Sequence, residues 1–337
     1  MRVGLVYDLR DDYRGLGLSE EALAEFDSPE TIGELAAALT RLGFHVERIG
    51  HVRRLAERLV TGGRWDLVFN IAEGLRGRAR EAQAPALMEA FDQPYTFSDP
   101  LTLSVALDKA VAKRLVREAA IPTAPFRLIE SEDDAIACDL GFPLFVKPVA
   151  EGTGKGCSNA SKVHDGEQLR HVARALIGRF GQPVIAEPFL PGREFTVGLT
   201  GSGAEARVIG VLEILLGAGA EAEVYSLDNK EFCESRVTYR LADDFVARQA
   251  GAIALAAYRT LGCRDAGRLD LRCDAKGRPQ FLEANPLAGL HPTHSDLPIL
   301  AGQAGWTYDR LIGEIMQSAM RRYRLAPPEA WRAQAAQ

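Results

Sequence analysis

The chain has 337 residues, of which 47% are hydrophobic and 26% charged, with a formal net charge of −6. This size allows two or three compact domains, and the acidic balance argues against a protein that binds nucleic acid. No apolar stretch approaches membrane-spanning length and the five cysteines form no C-x-x-C pair, so we expect a cytoplasmic protein without a disulfide framework or a membrane partner.

Residues 1–100 predict an N-terminal α/β lobe. The apolar runs "RVGLVYD" and "WDLVFNI" have the pattern of buried strands, and an amphipathic helix that begins after Ser28 lies between them. Strands that alternate with helices predict a parallel sheet. The arginine-rich stretch at 76–80 is mixed with Glu81 and predicts a solvated surface.

Residues 101–195 predict a central lobe, and residues 196–325 predict a C-terminal lobe. A helical pattern continues to Pro122, and a strand, a glycine-rich loop and a second strand follow it. The C-terminal lobe mixes strands and helices, and residues 326–337 predict a flexible tail. The expected fold class is therefore α/β (α+β), with three consecutive α/β lobes.

The glycine-rich loop reads "KPVAEGTGKG" and spans residues 147–156. Its three glycines let backbone N–H groups approach an anion, while Thr153 offers a hydroxyl and Lys155 a positive charge. The loop matches neither of the two common phosphate-loop patterns. On this motif alone, a flexible surface hairpin with turn glycines is an equally good interpretation.

Charged residues lie close to apolar runs on both sides of this loop. Lys147 ends an apolar strand, and Lys109 lies in a helix with one mostly apolar face, where an unpaired charge is costly. A surface lysine whose stem covers apolar residues is the alternative for each. Glu187 ends a buried strand and Glu194 follows a Pro-Gly turn, which suits an adenine wall and a ribose hydroxyl partner, although solvated strand ends would look the same.

A predicted hairpin surrounds the sequence "AKGR" near the end of the chain. If a tight X-Gly turn is centred at 276–277, Asp270 lies opposite Glu283. Arg268 then lies opposite Asn285, and all four side chains share one face because side chains alternate along strands. The opposite, core-facing set is Leu269, Leu271, Leu282 and Ala284.

Two opposed carboxylates destabilise a sheet unless a positive charge lies between them. Mg²⁺ removes this repulsion, and the oxygens of Asp270, Glu283 and Asn285 are the ligands it prefers. The alternative is a surface hairpin in which Arg268 and Arg272 neutralise the acids. The hairpin alone does not decide between these two interpretations.

Five motifs in order resemble the ATP-grasp superfamily, and specifically its D-alanine–D-alanine ligase branch, over about residues 60 to 318. The motifs are "PYTFSDPLTLSVALDKAVAKRL", "VKPVAEGTGKG", "AEPFLPGREFTV", "TLGCRDAGRLDLR" and "FLEANPLAGLHPTHSDLP". The resemblance implies an ATP-grasp fold with ATP between the central and C-terminal lobes. It also favours the magnesium interpretation of the hairpin.

The resemblance implies a nucleotide site with ATP and Mg²⁺ as cofactors. Lys109 and Lys147 would contact the phosphates, Glu187 and Leu190 would line the adenine pocket, and Glu194 would hold the ribose. The loop residues that would close over the γ-phosphate are Glu151, Gly152, Gly154, Lys155 and Gly156. The ligands of two Mg²⁺ ions, for which Mn²⁺ is an alternative, would be Asp270, Glu283 and Asn285.

The resemblance also implies catalytic residues. Arg268 and the backbone N–H of Gly289 would stabilise an oxyanion, Lys230 resembles the lysine of the family's mobile ω-loop, and Thr153 lies in the closing loop. Ser295 resembles the serine that binds the carboxylate of the second substrate. A carboxylate would attack the γ-phosphorus to give an acyl phosphate, and an amine would then attack the acyl carbon.

The chain departs from the family pattern where substrates bind. The N-terminal motif Gly-Gly-x-Ser-x-Glu-x-x-Val-Ser is missing, and Glu231 follows Lys230 where the family has tyrosine. "FNIAEGLRGRAREAQ" replaces a histidine-bearing segment, so Glu73 becomes a candidate for a substrate amine. The C-terminal motif has one extra residue and two histidines, of which His294 is a candidate substrate contact, although a structural histidine is at least as good an interpretation.

These patterns lead to one hypothesis and two alternatives. The hypothesis is an ATP- and Mg²⁺-dependent carboxylate–amine ligase that joins small amino acids, with a homodimer expected from the resemblance alone. The first alternative is an ATP-grasp ligase of secondary metabolism with a different amino-acid, peptide or hydroxy-acid substrate. The second is a regulatory module that binds ATP without turnover.

Overall fold

The computed structural model describes residues 1–217, 236–329 and 331, so Lys230 and Glu231 lie outside the described residues. The described residues form three sheets that follow one another along the chain. None of the helices in the described part of the chain is both long enough and apolar enough to cross a membrane.

The first sheet is parallel with the strand order β2–β1–β3, which confirms the prediction for the N-terminal residues. Its strands are β1 (Arg2–Val6), β2 (His45–Gly50) and β3 (Leu67–Asn70). The helices around it are α1 (Arg10–Arg14), α2 (Glu20–Leu23), α3 (Pro29–Arg41), α4 (Val52–Val60) and α5 (Gln83–Ala90). The Ser28 side chain accepts a hydrogen bond from Thr31 N and caps α3, as the sequence predicts. We call these elements the N-terminal lobe.

The second sheet is antiparallel with the order β4–β7–β5–β6. Its strands are β4 (Arg127–Ile129), β5 (Leu144–Pro148), β6 (Lys162–Val163) and β7 (Val184–Pro188). The helices of this region are α6 (Pro100–Leu107), α7 (Lys109–Glu118), α8 (Glu132–Ile136) and α9 (Gly166–Phe180). The glycine-rich loop connects β5 to β6, as predicted.

The continuous helical pattern before Pro122 is broken at Asp108. This residue has extended backbone angles, and its carboxylate accepts a hydrogen bond from Val111 N, so it ends α6 and caps α7. Lys109 is therefore the first residue of α7, where its side chain points toward the glycine-rich loop and donates to the Glu151 carbonyl.

The third sheet is antiparallel with the order β10–β9–β8–β11–β12. Its strands are β8 (Glu194–Thr200), β9 (Arg207–Leu216), β10 (Val237–Leu241), β11 (Ala266–Cys273) and β12 (Pro279–Asn285). The helices are α10 (Phe245–Thr260), α11 (Asp296–Gln303) and α12 (Tyr308–Arg322).

The N-terminal lobe shares one hydrophobic core with α11 and α12. Leu35 and Leu39 of α3 pack in the same cluster as Ile315 of α12, and all three are fully buried. Trp331, within the tail predicted to be flexible, packs edge-on against Phe44 with ring centroids 5.7 Å apart. Trp331 thus packs against the N-terminal lobe.

The hairpin of β11 and β12 confirms the predicted pairs, because Asp270 lies opposite Glu283 and Arg268 opposite Asn285. The predicted two-residue turn is wrong. The side chain of Asp274 accepts hydrogen bonds from the N–H groups of Lys276 and Arg278, which builds a wider loop.

A bulge restores the predicted register at the functional end of the hairpin, since Leu271 pairs with Phe281 while Asp270 pairs with Glu283. Phe281 consequently takes the core position, fully buried. Leu282, which was predicted to face the core, instead lines a cavity beside Glu283.

Candidate active site

Two cavities meet at the edge formed by β11 and β12. The small cavity has a volume of about 100 Å³ and the large cavity about 620 Å³. Lys109, Glu151 and Glu283 line both cavities, so these three side chains mark the boundary between them.

The cavities bring together nearly all of the predicted site residues that are described. The small cavity is lined by Lys109, Lys147, Glu151, Gly154, Lys155, Glu187, Leu190, Glu194, Asp270 and Glu283. The large cavity is lined by Glu73, Lys109, Glu151, Gly152, Thr153, Arg268, Glu283, Asn285, Gly289, His294 and Ser295. Among the described members of the predicted set, Gly156 lines neither, and Lys230 is not described.

A buried glutamate lies between two buried lysines beneath the small cavity. Glu187 Oε1 lies 3.2 Å from Lys147 Nζ, and its other oxygen accepts a hydrogen bond from Lys113, which is completely buried. Burial alone would raise the pKa of Glu187, but Lys113 and Lys147 lower it to about 2. The lysine at the end of β5 is therefore a paired, buried charge and not a surface lysine.

The rest of the small cavity combines apolar side chains with one ion pair. Phe189, Leu190 and Leu282 contribute apolar wall, and Arg272 lies over the Phe189 ring at 5.1 Å from its centroid. Glu194 pairs with Arg272 at 3.2 Å, directly across from it on β8. Glu194, the residue predicted to bind the ribose, is thus held in place by Arg272 and is not a solvated strand end.

The edge of the hairpin carries the predicted metal ligands. Asp270 accepts hydrogen bonds from Thr196 Oγ1 at 2.8 Å and from Asn285 Nδ2 at 3.3 Å, and it pairs with Arg268. Glu283 lies 3.4 Å from Lys109 Nζ. Asp270 is therefore paired with Arg268, and Glu283 with Lys109. The pairing by Arg268 is the part of the surface-hairpin interpretation that the structure bears out.

The donor set at this edge fits Mg²⁺. Two carboxylates and one amide are hard oxygen donors, and Asp270 is oriented by Thr196 and Asn285. Within the described ranges no group of three or more His, Cys, Asp or Glu side chains could hold a metal ion. A site built from Asp270 and Glu283 offers two charged ligands, which is the number typical of Mg²⁺ bound to substrate phosphates.

The glycine-rich loop is packed and ion-paired, which excludes the flexible surface hairpin. Lys155 is only 7% exposed and pairs with Glu151, whose carboxylate also accepts a hydrogen bond from Gln182 at 2.6 Å. Thr153 and Gly154 have positive φ angles of 55° and 76°. Left-handed residues of this kind occur in backbone turns that bind anions.

The C-terminal motif places Gly289 against Ser295. A Cβ atom at Gly289 would lie 2.7 Å from Ser295 Oγ, so a larger residue would displace the serine. Ser295 Oγ accepts a hydrogen bond from His291 N at 3.0 Å, and Ser295 is the N-cap residue of α11. His294 is exposed and its ring contacts that of His291 edge-on, with centroids 6.0 Å apart.

Acidic side chains line the large cavity at the N-terminal lobe. Burial and the neighbouring Glu81 and Glu25 raise the pKa of Glu73 well above its ordinary value. Burial also raises the pKa of Glu81 to about 7, although Arg80 opposes this. Carboxyl groups so placed become better anions when a cation enters the cavity, because the cation offsets their desolvation and mutual repulsion.

Sequence reasoning missed two site residues and misjudged a third. Arg80 was predicted to lie on a solvated surface, but it is 8% exposed and pairs with Glu25. Lys113 lies one helical turn after Lys109, and this i, i+4 spacing is the signal that could have identified it. No local pattern marks Glu25, because its partner lies 55 residues away in the chain.

Comparisons with known proteins agree with this geometry. Residues 115–317 match the family model described as D-ala D-ala ligase C-terminus. The chain is 34% identical over 265 residues to the uncharacterized protein y4sG of Sinorhizobium fredii, covering 76% of this chain and 75% of that protein. It is 32% identical over 340 residues to a D-alanine–D-alanine ligase of Cupriavidus pinatubonensis, covering 98% and 95%.

The fold has a counterpart of known structure. A crystal structure of D-alanine–D-alanine ligase from Bacillus anthracis complexed with ATP superposes with a TM-score of 0.72. The match covers 96% of this chain and 99% of that chain at 20% sequence identity. The ATP-grasp fold expected from the sequence is thereby confirmed.

Proposed function

This chain belongs to the D-alanine–D-alanine ligase family, and we propose that it joins two small amino acids through an amide bond in a reaction driven by ATP and Mg²⁺. The observation that carries the proposal is the shared boundary of the two cavities. Lys109 and Glu283 line both, so a nucleotide in the small cavity would present its γ-phosphate to a substrate in the large one.

In this proposal ATP occupies the small cavity. Leu190 and the apolar side chains near it would face the adenine, Glu194 would accept the ribose hydroxyls, and Glu187 would serve mainly as the counter-ion of Lys147. The phosphate-binding cations would be Lys109, Lys147 and Lys155, joined by Lys230, which lies outside the described residues. The N–H group of Gly154 would add an uncharged donor, whereas those of Gly152 and Gly156 donate to Glu25 and Glu21.

Asp270, Glu283 and Asn285 would hold Mg²⁺, with two ions as the expected number and Mn²⁺ as an alternative. The bound metal supplies charge neutralisation and orientation of the triphosphate. Lys109 and Arg268, which pair with Glu283 and Asp270 in this structure, would then contact the phosphate and the oxyanion.

The chemistry then depends on residues of the large cavity. A substrate carboxylate attacks the γ-phosphorus, ADP leaves, and the amine of the second substrate attacks the acyl carbon with release of phosphate. Arg268 and Gly289 N–H would stabilise the oxyanion. Burial alone would lower the pKa of Arg268, but Asp270 and Asp296 raise it, so the guanidinium stays charged.

Substrate positions follow from the wall of the large cavity. Ser295 would bind the carboxylate of the second amino acid, with His294 nearby at the exposed rim. Glu73 would bind a substrate ammonium, and Thr153 of the closing loop would shield the reacting atoms. We also propose a cytoplasmic homodimer, as the family implies.

The substrate side favours a second candidate of the same chemistry. Glu73 stands in a segment where the family has a histidine, and the N-terminal family motif is absent. We therefore keep as an alternative a ligase of secondary metabolism that accepts a different amino acid, a peptide or a hydroxy acid. A regulatory module that only binds ATP would need no residue to stabilise an oxyanion, which is the role proposed for Arg268.

A phosphate-release assay with ATP, Mg²⁺ and a panel of D- and L-amino acids tests the proposal. We expect ADP and amide product to appear together, and only with particular amino-acid pairs. Product with a hydroxy acid or peptide would favour the second candidate. ATP binding without substrate-dependent ADP release would favour the regulatory module and contradict the proposal.

A further inference from the structure

The carboxylate of Glu25, in the N-terminal lobe, is buried against the glycine-rich loop. It accepts a hydrogen bond from Gly152 N at 2.8 Å, and Lys155 Nζ lies 3.0 Å from it. Arg80 Nη2 lies 3.2 Å from the same carboxylate. One acid of the N-terminal lobe thus contacts both a backbone amide and a lysine of the loop.

Arg80 adds a second contact between the lobe and the loop. Its Nη1 donates to the carbonyl of Ala150, two residues before Gly152, at 2.9 Å. The side chains of Arg80 and Glu25 are 9% and 8% exposed, so both charges depend on their partners and not on water.

Two cations share the Glu25 carboxylate, and one of them, Lys155, also pairs with Glu151. Burial alone would raise the pKa of Glu25, but Arg80 and Lys155 outweigh it and hold the pKa below its ordinary value. Removal of the carboxylate would therefore leave the two cations without the acid that they share. A neighbouring acid of α2, Glu21, makes only a 3.4 Å contact to Gly156 N and pairs with Arg179, which is 60% exposed.

The loop segment that Glu25 contacts, residues 152–155, lies between the two cavities. Gly152 and Thr153 line the large cavity, whereas Gly154 and Lys155 line the small one. A contact that fixes Gly152 and Lys155 therefore fixes loop residues that line both cavities.

Building on the proposed function, we propose that Glu25 and Arg80 are positioning residues that hold the glycine-rich loop closed over the reacting groups. An acyl phosphate reacts with water if it is exposed: water attacks, the acyl–oxygen–phosphorus linkage breaks, and the carboxylate and phosphate are released without an amide. A loop held shut excludes this water until the amine attacks.

The test compares Glu25→Gln with Glu21→Gln, a matched change in the same region. The quantity measured is phosphate released per amide formed, with the amino-acid pair that the wild-type enzyme uses. We expect a ratio near one for the wild type and for Glu21→Gln, and a rise of at least about threefold for Glu25→Gln. Arg80→Lys keeps the positive charge but loses the two guanidinium nitrogens that contact Glu25 and Ala150. Its ratio of phosphate to amide should lie between those of the wild type and Glu25→Gln.

Two results would overturn the proposal. An unchanged ratio in a folded Glu25→Gln enzyme, whatever its kcat, would mean that the carboxylate does not keep water out. A lower KM for ATP in this variant would mean that Glu25 competes with phosphate for the loop.

Hydrogen exchange at residues 151–156 separates this proposal from the proposed function. In the presence of ATP and Mg²⁺, we expect the loop amides to exchange faster in Glu25→Gln than in the wild type or in Glu21→Gln. Equal exchange in all three proteins would refute the clamp even if the wild type forms no amide with any amino acid tested.

Discussion

Glu187→Gln removes the acid that two buried lysines share, and we expect it to destabilise the folded chain strongly. The substitution keeps shape and size, so it creates no cavity. It leaves Lys113, which is completely buried, and Lys147, which is 7% exposed, facing one another as uncompensated cations. Breaking a buried ion pair in this way typically costs about 3–5 kcal/mol.

The pKa of Glu187 gives an independent magnitude. Its value of about 2 lies below the ordinary 4.5, and this difference corresponds to about 3 kcal/mol in favour of the folded state. Because the pKa is lowered, this contribution is present above pH 4.5 and is lost as the pH falls toward 2. The two magnitudes agree on a loss of about 3 kcal/mol at pH 7.

Urea denaturation at pH 7 and at pH 3 measures this loss, with Lys113→Met/Glu187→Gln as the matched variant. The double substitution removes one cation together with the acid, so it should recover most of the lost free energy of unfolding. At pH 3 the difference between Glu187→Gln and the wild type should shrink. A double variant no more stable than Glu187→Gln would refute the argument that uncompensated charge is the cause.

Three further predictions concern the large cavity. Gly289→Ala should push Ser295 away and raise the KM for the second amino acid about tenfold or more, with kcat less affected, in steady-state kinetics; an unchanged KM would contradict the role of Ser295. Arg268→Ala should keep ATP binding by calorimetry yet lower kcat by about 10² or more, and retained turnover would refute its oxyanion role. Burial raises the pKa of Glu81 to about 7. Ionisation of Glu81 therefore destabilises the folded state, and this cost in free energy of unfolding grows as the pH rises from about 4.5 to 7. Glu81→Gln should therefore stabilise the chain by about 2–3 kcal/mol in denaturation at pH 8 and hardly at pH 4; equal effects at both would contradict this.

The residue pairs of the hairpin could be predicted because the position of a turn fixes which residues of the two strands lie opposite each other. Asp270 and Glu283 lie opposite each other as expected, but only because a wrong turn length and an unpredicted bulge offset each other. The turn is wider because Asp274 accepts bonds from the backbone within it, and a bulge at Leu282 compensates by one residue. Neither feature leaves a mark in the alternation of polar and apolar residues.

The partners of the charged residues could not be predicted from local sequence. Arg80 lies in an arginine-rich stretch that looks solvated, and only its contact with the distant Glu25 explains its burial. Lys109 and Lys147 were identifiable because a charge beside apolar runs needs a partner, but the identity of that partner depends on how strands of different sheets meet.

The most direct test of the account follows oxygen from the substrate carboxylate. An amino-acid pair found in the panel is supplied with ¹⁸O in the carboxylate that is activated, and the released phosphate is analysed by mass spectrometry. The account predicts that each phosphate carries one ¹⁸O atom, because the carboxylate oxygen becomes bonded to phosphorus before the amine attacks. Phosphate without ¹⁸O, released together with amide product, would contradict it.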